Sequence, residues 1–144
     1  MIIYKVEARH IDVIWPYVED LLQKPLHRAL GEVSLNDVKE WLKGNLQQLW
    51  VGIDETKKEI VLAFTTQLYI YTTQRHLRIH LTGAKDHTIN NWINEWVEPV
   101  EKFCKENGIR YIETCGRDGW TRVLKKKGYE KYYTVLVKEI KDGS

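Results

Sequence analysis

The sequence has little cysteine, with Cys104 and Cys115 as the two among 144 residues. Two cysteines are too few for the disulfide framework of a small secreted domain. Cys104 falls at the core spacing of a helical pattern, which predicts a small buried apolar residue. The first residues also lack the basic segment and apolar run of a signal peptide. These absences lead us to expect a cytoplasmic protein.

An excess of charge of one sign is also lacking, because 22 Lys and Arg residues face 20 Asp and Glu residues, a net charge of +2. A nucleic-acid-binding domain usually carries a clear basic excess on one face. The lysine run at 125–127 is typical of the solvated face of a short helix. No apolar stretch approaches the length that spans a bilayer. We expect neither a nucleic acid nor a membrane as a partner.

Signatures of metal binding and nucleophilic catalysis are missing as well. His76 and His80 would share one face of a strand, but no carboxylate or cysteine at ligand spacing completes a metal site. Cys115 has no Cys-His-Asn pattern readable around it. Phosphate-binding glycine loops of the common types and nucleophile elbows are absent. The sequence therefore predicts no metal centre.

What the sequence does have is hydrophobic residues (43%) in clear helix and strand periods. Ser34 and Asp37 have the spacing of a reciprocal helix cap, and Trp92, Trp96 and Trp120 are predicted to be buried. One domain is expected over 1–140, with a disordered tail over 141–144. Strands are predicted at 2–8, 49–53, 60–71, 77–81, 109–113 and 129–140, and helices at 11–22, after Ser34, at 89–104 and at 119–127.

Alternation along the strand at 77–81 predicts two faces. Leu77, Ile79 and Leu81 should lie on one of them, with Arg78, His80 and Thr82 on the other. The order β, α, α, β, β, β, α, β, α, β joins antiparallel hairpins to a βαβ unit. It predicts an α/β fold in which a mixed sheet carries helices on both faces.

The closing segments carry a family resemblance. They read GRDGWTRVL at 116–124, KGY at 127–129 and VLVKEI at 135–140. Together with the order of elements over 48–140, they resemble the GNAT superfamily of N-acetyltransferases, and more narrowly its bacteriophage-encoded GNAT-like branch. The resemblance implies a mostly antiparallel sheet of about six strands, with parallel fourth and fifth strands that splay apart. For a phage protein, the location would be the cytoplasm of the host cell.

The resemblance also implies acetyl-CoA as the cofactor and an amine as the substrate. His80 and Glu113 are the candidates for the base that takes the amine proton. Either residue could instead be a surface group, or form a strand-end ion pair with Arg117. The expected cofactor-binding residues follow the fourth strand into the next helix, where backbone N–H groups can hold phosphates: Ile79, Leu81, Thr82, Gly83, Lys85, His87 and Thr88.

Two features depart from the family pattern. The stretch 83–91 holds a single glycine, Gly83, where active members have a glycine-rich phosphate loop, and Asp86 adds negative charge there. Leu124 stands where many members place a tyrosine acid. The sequence thus leaves two functions open. One is an N-acetyltransferase with a divergent cofactor loop, and the other is a non-catalytic GNAT-fold protein used for binding or assembly. A protein partner or a homo-oligomer is compatible with both.

Overall fold

The computed structural model describes residues 1–26, 31–85, 89–115 and 118–141. A single turn of 3-10 helix (Ala8–His10) leads from the first strand into the first α-helix. The strands are β1 (Ile2–Val6), β2 (Gln48–Asp54), β3 (Glu59–Ile70), β4 (Arg75–Ala84) and β5 (Tyr111–Thr114), and the helices are α1 (Ile11–Leu26), α2 (Leu35–Lys43), α3 (Ile89–Glu106) and α4 (Asp118–Lys125).

The strands form one sheet in the order β1-β2-β3-β4-β5. The first four strands pair antiparallel with their neighbours, whereas β4 and β5 are parallel. The expected mixed, mostly antiparallel sheet is therefore confirmed. The expectation of about six strands was wrong, since the described residues form five.

The missing strand is the one predicted over 129–140. Its β-branched and aromatic residues favour a strand, but the described residues 130–141 contain no helix or strand. Local preference alone cannot make a strand, because the backbone N–H and C=O groups need a neighbouring strand to pair with. Among the described residues, no strand pairs with this segment. Of the predicted tail, residues 142–144 lie outside the described residues.

Two apolar cores cover the two faces of the sheet, as expected. Helices α1 and α2 contribute Val18, Leu22 and Val38 to one core, where Val51 of β2 and Ala63 of β3 meet them. The core on the opposite face contains Trp50, Phe64, Leu77, Trp96, Val100 and Leu124. No described helix is both long and apolar enough to cross a membrane.

Helix α2 begins at the predicted cap. The Asp37 backbone N–H donates to Ser34 Oγ at 3.1 Å, and the Ser34 backbone N–H donates to Asp37 Oδ2 at 3.1 Å. This reciprocal pair satisfies two N–H groups that have no partner within the helix. In α3, Trp96 is 1% exposed, as predicted. The side chains of Trp92 and Trp120 lie outside the described part of the chain.

Candidate functional site

A β-bulge interrupts β4 in the middle of the sheet. Phe64 of β3 pairs with Thr82, but Thr66 pairs with Ile79, so two residues of β4, His80 and Leu81, lie opposite the single Thr65. The Leu81 backbone N–H donates to Thr65 Oγ1 at 3.1 Å. This side-chain contact replaces the ladder bond that the extra residue disrupts.

The bulge changes which side chains of β4 face which core. Before it, Leu77 and Ile79 belong to the core beneath α3. After it, Leu81 belongs to the core beneath α1 and α2. The prediction that these three residues share one face was wrong, because alternation along a strand fails wherever a residue is inserted.

Beyond the bulge, β4 and β5 separate. Their parallel pairing ends at Ile79 and Thr114. On its other side, β4 stays paired with β3 as far as Ala84. Within the described ranges, the stretch from His80 to Ala84 therefore has a strand on one side only, which leaves an open edge.

The open edge presents the backbone of alternate residues. Neighbouring residues of a strand point their backbone groups to opposite sides. The Lys85 N–H donates to the Val61 carbonyl of β3 at 2.9 Å. Ala84 and Thr82 consequently turn their N–H and C=O groups away from β3. The Ala84 carbonyl accepts a hydrogen bond from Lys24 Nζ of α1 at 3.0 Å, which agrees with this direction.

Gly83 has a packing role at this place. A Cβ built on Gly83 would lie 1.8 Å from the Leu21 carbonyl oxygen. Only a residue without a side chain lets the backbone of α1 approach β4 so closely. The resemblance implied that Gly83 binds the cofactor. The close contact with Leu21 is a separate, structural reason for a glycine at this position.

The other expected cofactor-binding residues follow the same edge. Ile79 and Leu81 bury their side chains in the two cores, and Thr82 is half-buried. Lys85 is exposed, and its Nζ lies 3.2 Å from Glu59 Oε2. His87 and Thr88 lie outside the described residues, as does Asp86.

A second group of polar side chains lies at the bulge. The Gln47 side chain is 2% exposed. Its Nε2 donates to Gln67 Oε1 at 3.0 Å and lies 3.3 Å from His80 Nδ1. Burial, reinforced by the nearby charge of Arg78, lowers the pKa of His80 below its ordinary 6.5. His80 is therefore a neutral imidazole at pH 7.

The Gln47 amide decides which nitrogen of His80 carries the proton. With Nε2 of Gln47 facing the ring, His80 Nδ1 accepts and its proton is on Nε2. If the amides of Gln47 and Gln67 both turn over, their mutual hydrogen bond is kept, and His80 instead donates from Nδ1. Its Nε2 lone pair is then free to take a proton.

Glu113 lies in an ion-pair cluster rather than alone. Its Oε1 accepts from Arg78 Nε at 2.8 Å, and its Oε2 lies 3.5 Å from His76 Nδ1. Arg78 also donates to the Tyr69 hydroxyl at 3.1 Å, and its guanidinium carbon lies 4.2 Å from the centre of that ring. Arg78 and Glu113 are paired opposite each other, one position before β4 and β5 separate. Glu113 thus forms an ion pair with Arg78. The expected alternative partner, Arg117, is outside the described residues, so that pair stays a prediction.

The last helix provides no tyrosine acid at the expected position. Leu124 is 7% exposed within the core beneath α3. Tyr129 lies just beyond the helix, with its ring 6.1 Å from that of Trp96. Burial raises the pKa of the Tyr129 phenol above its ordinary value. Its surroundings make Tyr129 a core residue.

Sequence reasoning missed Lys24, Gln47 and Arg78 as members of the site. Lys24 is brought to β4 by the packing of α1, and Gln47 precedes β2, far from His80 along the chain. Arg78 was placed on the correct face, but its cross-strand partner Glu113 follows only from the parallel register. No local sequence pattern predicts these contacts.

Comparison with known proteins gives a fold. No protein-family model matches the sequence. The curated proteins likewise contain no match. Among solved structures, a probable acetyltransferase is similar with a TM-score of 0.71 and 10% identity, over 97% of this chain and 100% of its own. This chain has the GNAT fold.

Two further structures with this GNAT fold are informative. Glucosamine-6-phosphate N-acetyltransferase from Arabidopsis thaliana has a TM-score of 0.68 at 16% identity, over 95% of this chain and 96% of its own. A predicted acetyltransferase from Clostridium acetobutylicum, solved with acetyl-CoA, has a TM-score of 0.64 at 13% identity, over 95% and 94%. At these identities the similarity extends to the fold alone.

Proposed function

We propose that this protein is an acyl-CoA-dependent N-acetyltransferase with an amine as its acceptor. The observation that carries the proposal is the open edge of β4 beyond Ile79, where Thr82 and Ala84 direct backbone groups away from β3. An extended chain that contains amides can pair with such an edge as an added strand does. The pantetheine arm of acetyl-CoA is a chain of this kind.

The two lysines at the end of the open edge suit the phosphate-bearing part of acetyl-CoA. Lys24 Nζ donates a hydrogen bond to the Ala84 carbonyl, and Lys85 is the next residue along the chain. Both side chains are exposed, and their ammonium groups can approach the pyrophosphate that follows the pantetheine arm. When bound, acetyl-CoA supplies an acetyl group activated as a thioester.

His80 is the proposed base. An amine must lose a proton to become an amide nitrogen, and a neutral imidazole can accept it. His80 is neutral at pH 7 because burial lowers its pKa. As a base, His80 must carry its own proton on Nδ1, so that Nε2 can accept one. The side-chain oxygen of Gln47 stabilises this tautomer when the Gln47 amide is turned so that the oxygen faces Nδ1.

Glu113 has a different proposed role, although its residue type also suits a base. Arg78 and His76 engage its two carboxylate oxygens, one each. Both oxygens are therefore already occupied by neighbouring side chains. We assign Glu113 to positioning, since it fixes Arg78 beside the separation of β4 and β5.

A single proline tests the open edge. The Thr82 N–H points away from β3, so Thr82→Pro removes a donor from the edge and none from the ladder with β3. In calorimetric titration with acetyl-CoA, we expect Thr82→Pro to abolish binding and Thr82→Val to retain it. Matching melting temperatures show that both variants are folded. Equal binding by Thr82→Pro and the unmodified protein overturns the proposed edge.

The affinity itself is expected to be low. The negative charge of Asp86 and the scarcity of glycine in the loop predict a Kd on the order of 0.1 mM or weaker, which corresponds to about 5–6 kcal/mol. Asp86→Gly should tighten binding by removing a charge that repels phosphate. Micromolar binding by the unmodified protein would show that the loop holds the phosphates in another way.

The second candidate is a non-catalytic GNAT-fold protein that binds or assembles with another protein, in line with the resemblance to the phage-encoded branch. The engagement of both Glu113 oxygens favours it, because that candidate base is occupied. Absence of acetyl-CoA and CoA binding in both the unmodified protein and Asp86→Gly would make this the better account. Turnover of any amine would exclude it.

A further inference from the structure

One buried polar atom beside the bulge in β4 has no hydrogen-bond partner. Gln47 Oε1 is fully enclosed, and no group of the described residues donates to it. The nitrogen of the same amide is used twice, because Gln47 Nε2 lies 3.0 Å from Gln67 Oε1 and 3.3 Å from His80 Nδ1. Buried polar groups are normally satisfied, so an amide that is satisfied at one end only requires an explanation.

Turning the Gln47 amide over does not remove the unsatisfied atom. If the amides of Gln47 and Gln67 both turn, Gln67 Nε2 and His80 Nδ1–H donate to the same oxygen, Gln47 Oε1. The number of hydrogen bonds in the cluster is unchanged, and Gln47 Nε2 becomes the buried atom without a partner. Gln67 is half-buried, so water reaches the outer atom of its amide in either arrangement. The two arrangements are therefore balanced in their hydrogen bonds.

The two arrangements differ in the tautomer of His80 that they accept. In the donor state, Gln47 Nε2 faces the ring, so His80 Nδ1 accepts and a neutral ring carries its proton on Nε2. In the acceptor state, Gln47 Oε1 faces the ring, so Nδ1 carries the proton and Nε2 has an open lone pair. A protonated ring has an N–H on both nitrogens. It consequently fits the acceptor state and is repelled by the donor state.

Charged groups act on His80 from its own strand and from the segment before α2. Arg78 of β4 disfavours the imidazolium, whereas Glu32 favours it, and burial exceeds both in lowering the pKa. The side chains that approach from the other two elements, Gln47 before β2 and Gln67 of β3, are neutral amides. At pH 7 the ring is neutral and has two tautomers available. The amides beside the ring decide between them.

We infer that Gln67 is a positioning residue, which acts through Gln47 to set the nitrogen of His80 that carries the proton, and that proton uptake by His80 turns both amides together. This inference rests on the proposed function, because only the acceptor state leaves Nε2 able to take a proton from an amine. The amide pair is then an element with two states that a single proton biases.

Two substitutions of Gln67 should drive the amide pair in opposite directions. A carboxylate only accepts, so Gln67→Glu should hold the donor state and keep the proton of His80 on Nε2. An ammonium only donates, so Gln67→Lys should hold the acceptor state and keep the proton on Nδ1. Nitrogen NMR of the His80 ring at about pH 8, without acetyl-CoA, distinguishes the two tautomers of the neutral ring. We expect the ring signals of the unmodified protein to lie between those of the variants.

A pH titration of the unmodified protein gives a second test that needs no variant. As the pH falls through the native pKa of His80, the side-chain NH2 signals of Gln47 and Gln67 should shift with the same midpoint as the ring signals. Amide signals that do not follow the ring overturn the inference. The same tautomer in the unmodified protein and in both Gln67 variants, folded as shown by matching melting temperatures, overturns it too.

Turnover separates this inference from the proposed function. With an amine acceptor, Gln67→Glu should lower kcat about 100-fold and leave the KM for acetyl-CoA unchanged, whereas Gln67→Lys should keep kcat. Equal kcat values in the two variants contradict the positioning role. If no protein turns over an amine but the tautomers still follow Gln67, the amide pair is supported and the proposed function alone fails.

Discussion

The Thr65 hydroxyl accepts a hydrogen bond from the Leu81 backbone N–H at 3.1 Å, in the interior of the sheet. Thr65 is 0% exposed and Leu81 is 6% exposed, so water does not reach this contact readily. A buried N–H without a partner costs free energy, and the bulge in β4 would otherwise leave one. Thr65 thereby makes the bulge compatible with a stable sheet.

Replacing that hydroxyl should destabilise the protein. Thr65→Val keeps the shape but removes the acceptor, and we expect the free energy of unfolding to fall by about 1–3 kcal/mol. Thr65→Ser keeps the hydroxyl and should lose less. Urea denaturation of the two variants measures the difference. If valine proves as stable as serine, another group satisfies the Leu81 N–H.

Gly83 should tolerate no side chain. A methyl group there meets the Leu21 carbonyl oxygen, which is backbone and cannot rotate away. We expect Gly83→Ala to cost about 3 kcal/mol or more, the upper end for overpacked sites. Gly44→Ala is the matched control, because the nearest atom to its added Cβ lies at 3.3 Å, so a small shift accommodates it. Similar melting temperatures for the two variants would contradict the close approach of α1 to β4.

Trp96 should be among the most costly side chains to truncate. It is 1% exposed and contacts the ring of Phe64 with centroids 6.3 Å apart. Trp96→Ala leaves a cavity and should cost roughly 3–5 kcal/mol of the roughly 5–15 kcal/mol that stabilises a domain. Tyr17→Ala, which removes a side chain 68% exposed on α1, is the control. A melting curve for Trp96→Ala that overlays that of the unmodified protein would place this helix face in solvent.

The lowered pKa of His80 makes stability depend on pH. In the unfolded chain the imidazole takes up a proton near pH 6.5, whereas in the native state it does so at a lower pH. The contribution of His80 is therefore complete above pH 6.5 and is lost as the pH falls towards the native pKa. Denaturation midpoints between about pH 8 and pH 5 should fall more steeply for the unmodified protein than for His80→Gln. Parallel curves would contradict the buried neutral imidazole.

A carboxylate in place of the Gln47 amide should reverse the shift of His80. Gln47→Glu places an acceptor next to Nδ1, which stabilises the imidazolium and holds the proton on that nitrogen. We expect the pKa of His80, measured by NMR titration, to rise by about one unit or more. Gln47→Leu removes the polar contact and should produce no such rise. A pKa equal in all three proteins would mean that Gln47 does not touch the ring in solution.

Elements with a strong local signal were predictable from sequence. The period of apolar residues gave α1 and α3, and the Ser34 cap located the start of α2. The strands predicted at 49–53 and 60–71 form the hairpin of β2 and β3, and in its turn Asp54 Oδ1 accepts from the backbone N–H groups of Thr56 and Lys57. In each case the determining contact lies within a few residues along the chain.

Features that depend on distant partners were not predictable. The bulge depends on the register of β3 beside β4. The residues around His80 carry no local pattern that predicts an extra residue in this strand. The strand expected over 129–140 failed for the same kind of reason, because its neighbour is supplied by packing and not by its own residues. The roles of the candidate bases His80 and Glu113 stay predictions. Their surroundings, Arg78 for Glu113 and Gln47 for His80, came only with the fold.

The extra residue in β4 also marks the place where this strand can change length. Loss of either His80 or Leu81 would leave a single residue opposite Thr65 and restore an even ladder with β3. The pairs on both sides would be unchanged, so Leu77 and Ile79 would keep the core beneath α3 and Gly83 the contact with Leu21. Elsewhere in β4, loss of one residue reverses the alternation of its neighbours. Natural variation in the length of this strand should therefore be confined to the bulge.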